Sequence, residues 1–308
     1  MIAFLQTELI PKIPLADWTE SAVDWITDTF QGFFDFLDGV IDVVVGSLEF
    51  ILLTPPALLT IAILGAIAFF LAGWRVALFT VVGLLFVISL DLWEAAMQTL
   101  ALVLAATVVA LAIGIPIGII AAKSNAVETA IRPVLDIAQT MPAFVYLVPI
   151  VVLLGIGAGP ALIATVIFAM PPAVRLTMLG IQQVPKDTVE AAHAFGATPW
   201  QTLFKVELPL SLKTIMAGVN QVIMLSLSMV VIAGLAGAGG LGEPVVTGLS
   251  QLDVGLSFVG GVGIVVIAIM LDRVTRAMAD RDRGGASKIL MRGKRSDRAP
   301  ESAEGKTA

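Results

Sequence analysis

Residues 137–174 form a run of 38 positions without a charge. Such a run is at home in hydrocarbon, and it is far longer than the about 20 residues that one helix needs to cross a bilayer. GIGAGP at 155–160 is the natural break, so the run predicts two spans. Charge-free intervals at 50–74, 76–90, 95–122, 214–242 and 254–271 supply one more each. Pro55 and Pro56 lie just outside the first of these. The second is short, with Trp74 and Trp93 placed to anchor its ends at the interfaces. The pattern predicts an all-α polytopic membrane protein with about seven transmembrane helices.

Composition agrees and excludes several chemistries. The chain is 58% hydrophobic and 14% charged, with a mean hydropathy of +0.97, whereas soluble domains carry about 25% charged residues. It has no cysteine, which removes disulfides, thiol catalysis and thiolate metal sites. One histidine excludes a multi-histidine metal centre. No catalytic residue and no metal ligand set emerges. The first residues, MIAFLQTELIPKIP, lack the basic start and sustained apolar run of a signal peptide.

The basic residues orient the spans. An odd number of spans puts the two ends of the chain on opposite sides. The stretch 273–306 carries ten of the 18 Lys and Arg residues. Arg75, Lys123, Arg132, Lys186, Lys205 and Lys213 then fall on its side, Arg175 lies in a span towards it, and Lys12 lies opposite. Basic loops stay in the cytoplasm, so the N-terminus is expected outside and the C-terminus inside.

The first 50 residues form a separate element. Acids at Asp17, Glu20, Asp24, Asp28, Asp35, Asp38 and Asp42, with Gln31 in the gap, recur every three or four residues. Trp18, Trp25, Phe30, Phe33, Phe34, Phe36 and Leu37 occupy much of the remaining surface. The pattern predicts an amphipathic helix along the outer interface, broken at Gly32 or Gly39.

Between two apolar runs lies EAAHAFGATPWQTLFKVELP, residues 190–209. Glu190-Ala191-Ala192 is followed by Gly196 four residues after Ala192, and by Leu208-Pro209 twelve residues beyond Gly196. A short helix with small residues can lie in a partner's groove, Gly196 permits a sharp turn after it, and Pro209 closes the segment. This spacing resembles the cytoplasmic EAA loop of ABC-importer permeases. The resemblance extends through QTMPAFVYLVPIVVLLGIG (139–157), MPPAVRLTMLGIQQVP (170–185), IMAGVNQVIMLSLSMVVIAGLAGAGGLG (215–242) and GGVGIVVIAIMLDR (260–273). These stretches are similar to the glycine betaine/proline, or osmoprotectant, branch of the type I importer fold.

The resemblance implies a division of labour. A cytoplasmic ABC ATPase carries ATP and Mg, an external substrate-binding protein captures substrate, and two copies of this chain form the pathway in a prokaryotic plasma membrane. This chain itself is expected to bind no cofactor and no nucleic acid. It has no G-x-x-x-x-G-K-[ST] loop, and GAGGLG at 237–242 lacks the following lysine. The implied layout is an extracytoplasmic segment over 1–54 and two peripheral helices over 55–93. A permease core of five helices follows over 94–276, containing the loop 186–209. A basic tail over 277–308 is expected to be disordered. The expected coupling residues are Glu190, Ala191, Ala192, Gly196, Leu208 and Pro209, with Glu190 in the first turn of its helix. Gln139, Tyr146, Asn220 and Gln221 are pathway candidates, with Ser226 and Ser228 beside them. For each of these polar groups, helix–helix hydrogen bonding is the plainer role. Asp136 and Arg175 suit a structural ion pair at least as well as a substrate contact. Gly114 and Gly118 suit close helix packing. Pro116, Pro142, Pro149, Pro171 and Pro172 are expected to break or kink helices. The alternatives are a permease for another amine or amino acid, an ion-coupled secondary transporter, and a membrane scaffold. An ion-coupled transporter would carry an ionisable group at the membrane midplane, and none stands out.

The orientation has a direct test. Thr29→Cys and Ser296→Cys in this cysteine-free chain should react with an impermeant thiol reagent from opposite sides of sealed cells. Reaction of both from outside would overturn the seven-span topology.

Overall fold

The computed structural model describes residues 14–296, with side chains as far as Met278. The described residues are helical almost throughout. In chain order the helices are α1 (Leu15–Leu53), α2 (Ala57–Ala72), α3 (Trp74–Ser89), α4 (Trp93–Lys123), α5 (Asn125–Thr140), α6 (Ala143–Leu154) and α7 (Ala158–Gln182). They continue as α8 (Lys186–Ala194), α9 (Pro199–Thr202), a π-turn (Leu203–Glu207), α10 (Leu208–Leu235), α11 (Gly242–Gln251) and α12 (Val254–Ser296).

The hub is α7, which packs against α4 on one side and α10 on the other. Hydrocarbon gives apolar helices no hydrophobic reason to associate, so membrane helices hold together by close backbone approach at small residues. A Cβ on Gly118 would stand 2.7 Å from both the Val174 carbonyl oxygen and Thr177 Cβ. A Cβ on Gly114 would meet Ala173 at 2.8 Å. The GxxxG spacing is therefore a packing face. The partners advance together, so α4 and α7 run parallel. Across the other face Gly180 meets Ser211 and Thr214, while Gly218 meets Leu176 and Pro172. That order is reversed, so α7 and α10 are antiparallel. Their connection must emerge at one end of the bundle.

The core falls into two clusters. One gathers Ile41 and Val45 of α1 with residues of α4, α6, α7 and α10 around Ala164 and Ala169. The other joins α2, α3, α4, α10 and α12 around Leu84, Met97, Leu241 and Ile267. Gly73 (φ +90°) turns α2 back into α3, and a Cβ on Gly65 would meet Val81 at 2.7 Å, so the two form a tight hairpin. At the end away from the α7–α10 connection, the glycine cluster after α10 is a turn. Gly240 N–H donates to Gln98 Oε1 (2.9 Å) and Leu241 N–H to Thr99 Oγ1 (2.8 Å), tying it to α4. It leads into α11, a short helix in the gap that charge counting leaves between 242 and 254.

The span count differs from seven. Trp93–Lys123, Ala158–Gln182, Pro199–Leu235 and Val254–Met278 are each long and apolar enough to cross a membrane. Counting each of two bent pairs as one span, α1 with α2 (102°) and α5 with α6 (94°), raises these four to at most six. Trp74–Ser89 has 16 residues, which is about 24 Å of helix, short of the about 30 Å hydrocarbon core. The helix of span four starts at Ala143, because Pro142 ends α5. The other prolines named above lie inside continuous helices.

α1 also departs from the expected surface helix. Its kink is at Phe30, beside the edge-to-face pair with Trp25, and not at Gly32 or Gly39. Beyond the kink, Ile41 and Val45 are buried with Leu37 and Leu48 against them, so this half belongs to the bundle. Asp38 sits against the first turn of α7, leaving no room for a Cβ at Gly159, where a carboxylate suits the helix dipole. α12 continues helical to Ser296, into the stretch expected to be tail; residues 1–13 and 297–308 lie outside the described ones.

Gly118→Val should be among the most damaging changes in the bundle, since neither Val174 backbone nor Thr177 Cβ can give way. Overpacking of this kind costs roughly 1–3 kcal/mol. Thermal unfolding in detergent checks it, and an unchanged midpoint would mean that α4 and α7 are not in contact there.

Candidate functional site

The candidate site is the connection between α7 and α10. Pro185 precedes α8, and Asp187 is the acid of its first turn. Glu190 is the fifth helical residue, so its place beside the helix N-terminus is corrected: the first-turn acid is Asp187. Ala191 and Glu190 are exposed, and Ala192 is half-buried. No residue of α8 is buried.

The end of α8 explains the spacing from Ala192 to Gly196. Ala197 N–H donates to the Ala192 carbonyl (3.0 Å) and Gly196 N–H to the His193 carbonyl (2.9 Å). This paired closure is a Schellman motif, and it needs the left-handed residue that Gly196 supplies at φ +80°. His193 Nδ1 lies 3.3 Å from the Ala197 carbonyl oxygen, on the same turn.

The chain then restarts. Thr198 Oγ1 accepts from Gln201 N–H (3.3 Å), and Thr198 N–H donates back to Gln201 Oε1 (2.9 Å), a capping box with Pro199 at the first helical position. After α9 the helix widens into the π-turn, with Leu208 N–H donating to the Leu203 carbonyl. Pro209 has no N–H to give, and it stands in the first turn of α10. It therefore opens the following span and does not close the loop. Leu208 beside it is half-buried, and Pro209 is exposed.

Two features of this segment lie outside the expected coupling residues. Phe195 is 93% exposed and Trp200 is 70% exposed, and Trp200 stacks on Phe204 with centroids 5.7 Å apart. Exposed aromatics clustered on one loop mark an interaction surface. Their signal in the sequence is the i, i+4 spacing of Trp200 and Phe204. The second feature is Glu207, only 4% exposed and ion-paired with Lys123 at the end of α4. A cavity of about 500 Å³ lies beneath α8, lined by Ile119, Val189, His193, Trp200 and Leu203 with Lys123 and Glu207. A second, of about 260 Å³, shares Lys123, Val189 and Glu207.

The pathway candidates do not converge. Gln139 is in the last turn of α5, just before the 94° bend into α6. Asn220 Oδ1 accepts from Thr275 Oγ1 (3.0 Å), linking α10 to α12. Tyr146 is half-buried against the first core cluster, and its hydroxyl has no hydrogen-bond partner. Ser226 is fully buried. Gln221 is exposed, on a stripe of α10 with Ala217, Met224 and Ser228. Arg175 Nη2 meets Asp136 Oδ1 at 2.5 Å, and Gln182 Nε2 donates to Glu128 Oε2 (3.0 Å), so α5 is pinned to the loop end of α7. The Asp136–Arg175 pair thus ties α5 to α7.

Comparison with known proteins places this geometry. Residues 114–283 match the family described as binding-protein-dependent transport system inner membrane component. The chain is 48% identical over 280 residues to the glycine betaine transport system permease protein OpuAB of Bacillus subtilis, covering 90% of this chain and 99% of that one. It is 51% identical to the glycine betaine/carnitine transport permease protein GbuB of Listeria monocytogenes, covering 87% and 96%. It is 48% identical to the glycine betaine/proline betaine transport system permease protein ProW of Escherichia coli, covering 88% and 77%. Among solved structures, an inward-facing MetNI methionine ABC transporter aligns with a TM-score of 0.54 at 24% identity, over 63% of this chain and 95% of that chain. That likeness shows the fold alone.

Proposed function

We propose, from the premise that this chain belongs to the inner membrane components of binding-protein-dependent transport systems, that it imports glycine betaine and related quaternary amines. Two copies form the transmembrane pathway in a prokaryotic plasma membrane. ATP and Mg are handled by a separate cytoplasmic ABC ATPase, and an external binding protein delivers substrate. The N-terminus is outside, and the loop and C-terminus are cytoplasmic; this follows the distribution of basic residues and takes the 16-residue helix Trp74–Ser89 as a short seventh crossing.

The observation that carries the reading is the loop helix Lys186–Ala194. It joins two adjacent antiparallel spans, buries none of its own residues, and ends in a closure that only Gly196 serves well. A helix that exposes so much of itself needs a partner, and one placed between two spans moves both when that partner moves. The aromatics Phe195, Trp200 and Phe204 extend the surface on offer. The pairing of two copies is supported by the stripe Ala217, Gln221, Met224 and Ser228, whose mixed polarity suits a water-lined interface better than lipid. Gln221 is the strongest remaining pathway candidate. The substrate class rests on the relatives, whose names specify glycine betaine with carnitine or proline betaine. Quaternary ammonium groups are held by aromatic faces through cation–π attraction, and the high-affinity cage belongs on the external receptor.

Damage to the loop should separate ATP hydrolysis from transport while the spans stay folded. Gly196→Val forces a β-branched residue to φ +80°, at a local cost of roughly 1–3 kcal/mol. Glu190→Lys reverses the charge on the exposed face of α8. Both variants should insert normally yet lose co-purification with the ATPase and substrate uptake together. Wild-type uptake in both at normal expression would reduce this segment to an ordinary connection.

Substrate class is tested by reconstitution with the ATPase and receptor. Vesicles should accumulate radiolabelled glycine betaine in preference to sugars and inorganic anions. Uptake confined to polar amino acids would assign the chain to another branch of the same fold.

A further inference from the structure

We infer that the Lys123–Glu207 ion pair is a positioning device that carries movement of the loop helix to α4, the third member of the helix hub. The inference rests on the transport reading above and concerns how that machine is linked inside.

α8 is joined covalently to α7 and, through α9 and the π-turn, to α10. It has no such connection to α4. Between α4 and the whole connection 183–207, the hydrogen-bonded link among the described residues is Lys123 Nζ to Glu207 Oε2. Of the four described ion pairs, two are i, i+4 pairs within one helix and a third pins α5 to α7. The Lys123–Glu207 pair therefore stands alone in bridging a span to the loop.

Its setting is costly for a merely decorative contact. Glu207 is 4% exposed, and a carboxylate that deep is tolerated only while its partner stays in place. The residue stands at the last position of the π-turn, and single π-turns recur at functional sites because they break the helical register locally. The two cavities beneath α8 meet at this pair, since Lys123, Val189 and Glu207 line both. The loop helix thus lies over open space and bears on the spans near one charged contact. When a partner presses or pulls α8, the space lets the helix move, and the pair keeps the end of α4 moving with the π-turn. Without it, α7 and α10 would still be driven by their covalent ends, and the loop-side end of α4 would follow only through its packing on α7.

The experiment uses the complete importer in vesicles, with ATPase and receptor, and reads radiolabelled glycine betaine accumulated per ATP hydrolysed. Glu207→Gln keeps the shape and removes the charge, and Lys123→Met removes its partner. Both should assemble and hydrolyse ATP, with uptake per ATP falling about tenfold, as for mutations along an energetic coupling route. The double variant Lys123→Met with Glu207→Gln should be no worse than either single, because one interaction is lost in all three. A wild-type ratio in both single variants would overturn the inference, and so would losses that simply add in the double variant. If Lys123→Met fails to assemble, the isosteric Glu207→Gln decides by itself. Absence of receptor-dependent uptake in the wild type would count against the transport reading and is distinguishable from these results.

Discussion

Backbone contact between α7 and its two neighbours is the constraint on which the rest of the molecule depends. Lipid tails are as apolar as the helices, so no burial of greasy surface draws them together. What remains is dispersion at very short range, available only where Gly114, Gly118, Gly180 and Gly218 remove the side chain that would hold helices apart. The parallel pairing of α4 with α7 and the antiparallel pairing of α7 with α10 then decide the topology. A parallel pair needs a long return, which α5 and α6 provide by lying across the end and coming back. An antiparallel pair needs only a loop, and here that loop is the proposed docking segment.

The loop inverts the economy of the spans. Its helix buries nothing of its own, and its stability is drawn from local devices: a Schellman closure at Gly196, a capping box at Thr198 and Gln201, and a stacked Trp200–Phe204 pair. Each of these defines conformation without committing the segment to the bundle. The result is a preformed but loosely seated helix, set over two cavities and presenting aromatic surface to whatever docks. Rigid spans joined by such a segment suit a machine in which a partner supplies the work.

The helices were legible from charge alone, because a charge in hydrocarbon is costly enough to leave its mark without any tertiary information. The 38-residue run concealed its own interior for the same reason. Its helix α5 begins earlier, at Asn125, passes through Arg132 and Asp136, and ends at Thr140, so an amphipathic helix lies across a boundary that charge counting placed at 137. Gln139 thereby falls in the last turn of this helix, before the bend. Gly196 was legible because its constraint is local, a helix closure within a few residues. Pro209 was read as an ending because proline usually stops a helix, yet at the first turn its missing N–H costs nothing. The Lys123–Glu207 pair was out of reach: 84 positions separate its members, and each by itself looks like a solvated charge at a span end. Asn220 looked like a pathway group for a similar reason, because its partner Thr275 lies on another helix.

A transport route needs polar surface that can be covered in one state and open in another. The hub offers little of it: Asn220 is already bonded to Thr275, and Ser226 is sealed inside. The surface left is the stripe of Ala217, Gln221, Met224 and Ser228 on the outer side of α10. This helix is also the one that grows directly out of the π-turn. Polar and apolar residues lie close together along the stripe, so under the proposed pairing a modest rotation of α10 would exchange what it presents to the second copy. The proposed route and lever therefore share one continuous element, Pro199–Leu235, and under that proposal a signal from the loop need not cross the packed core. The core is free to stay rigid, which is what glycine contacts at van der Waals limits demand of it.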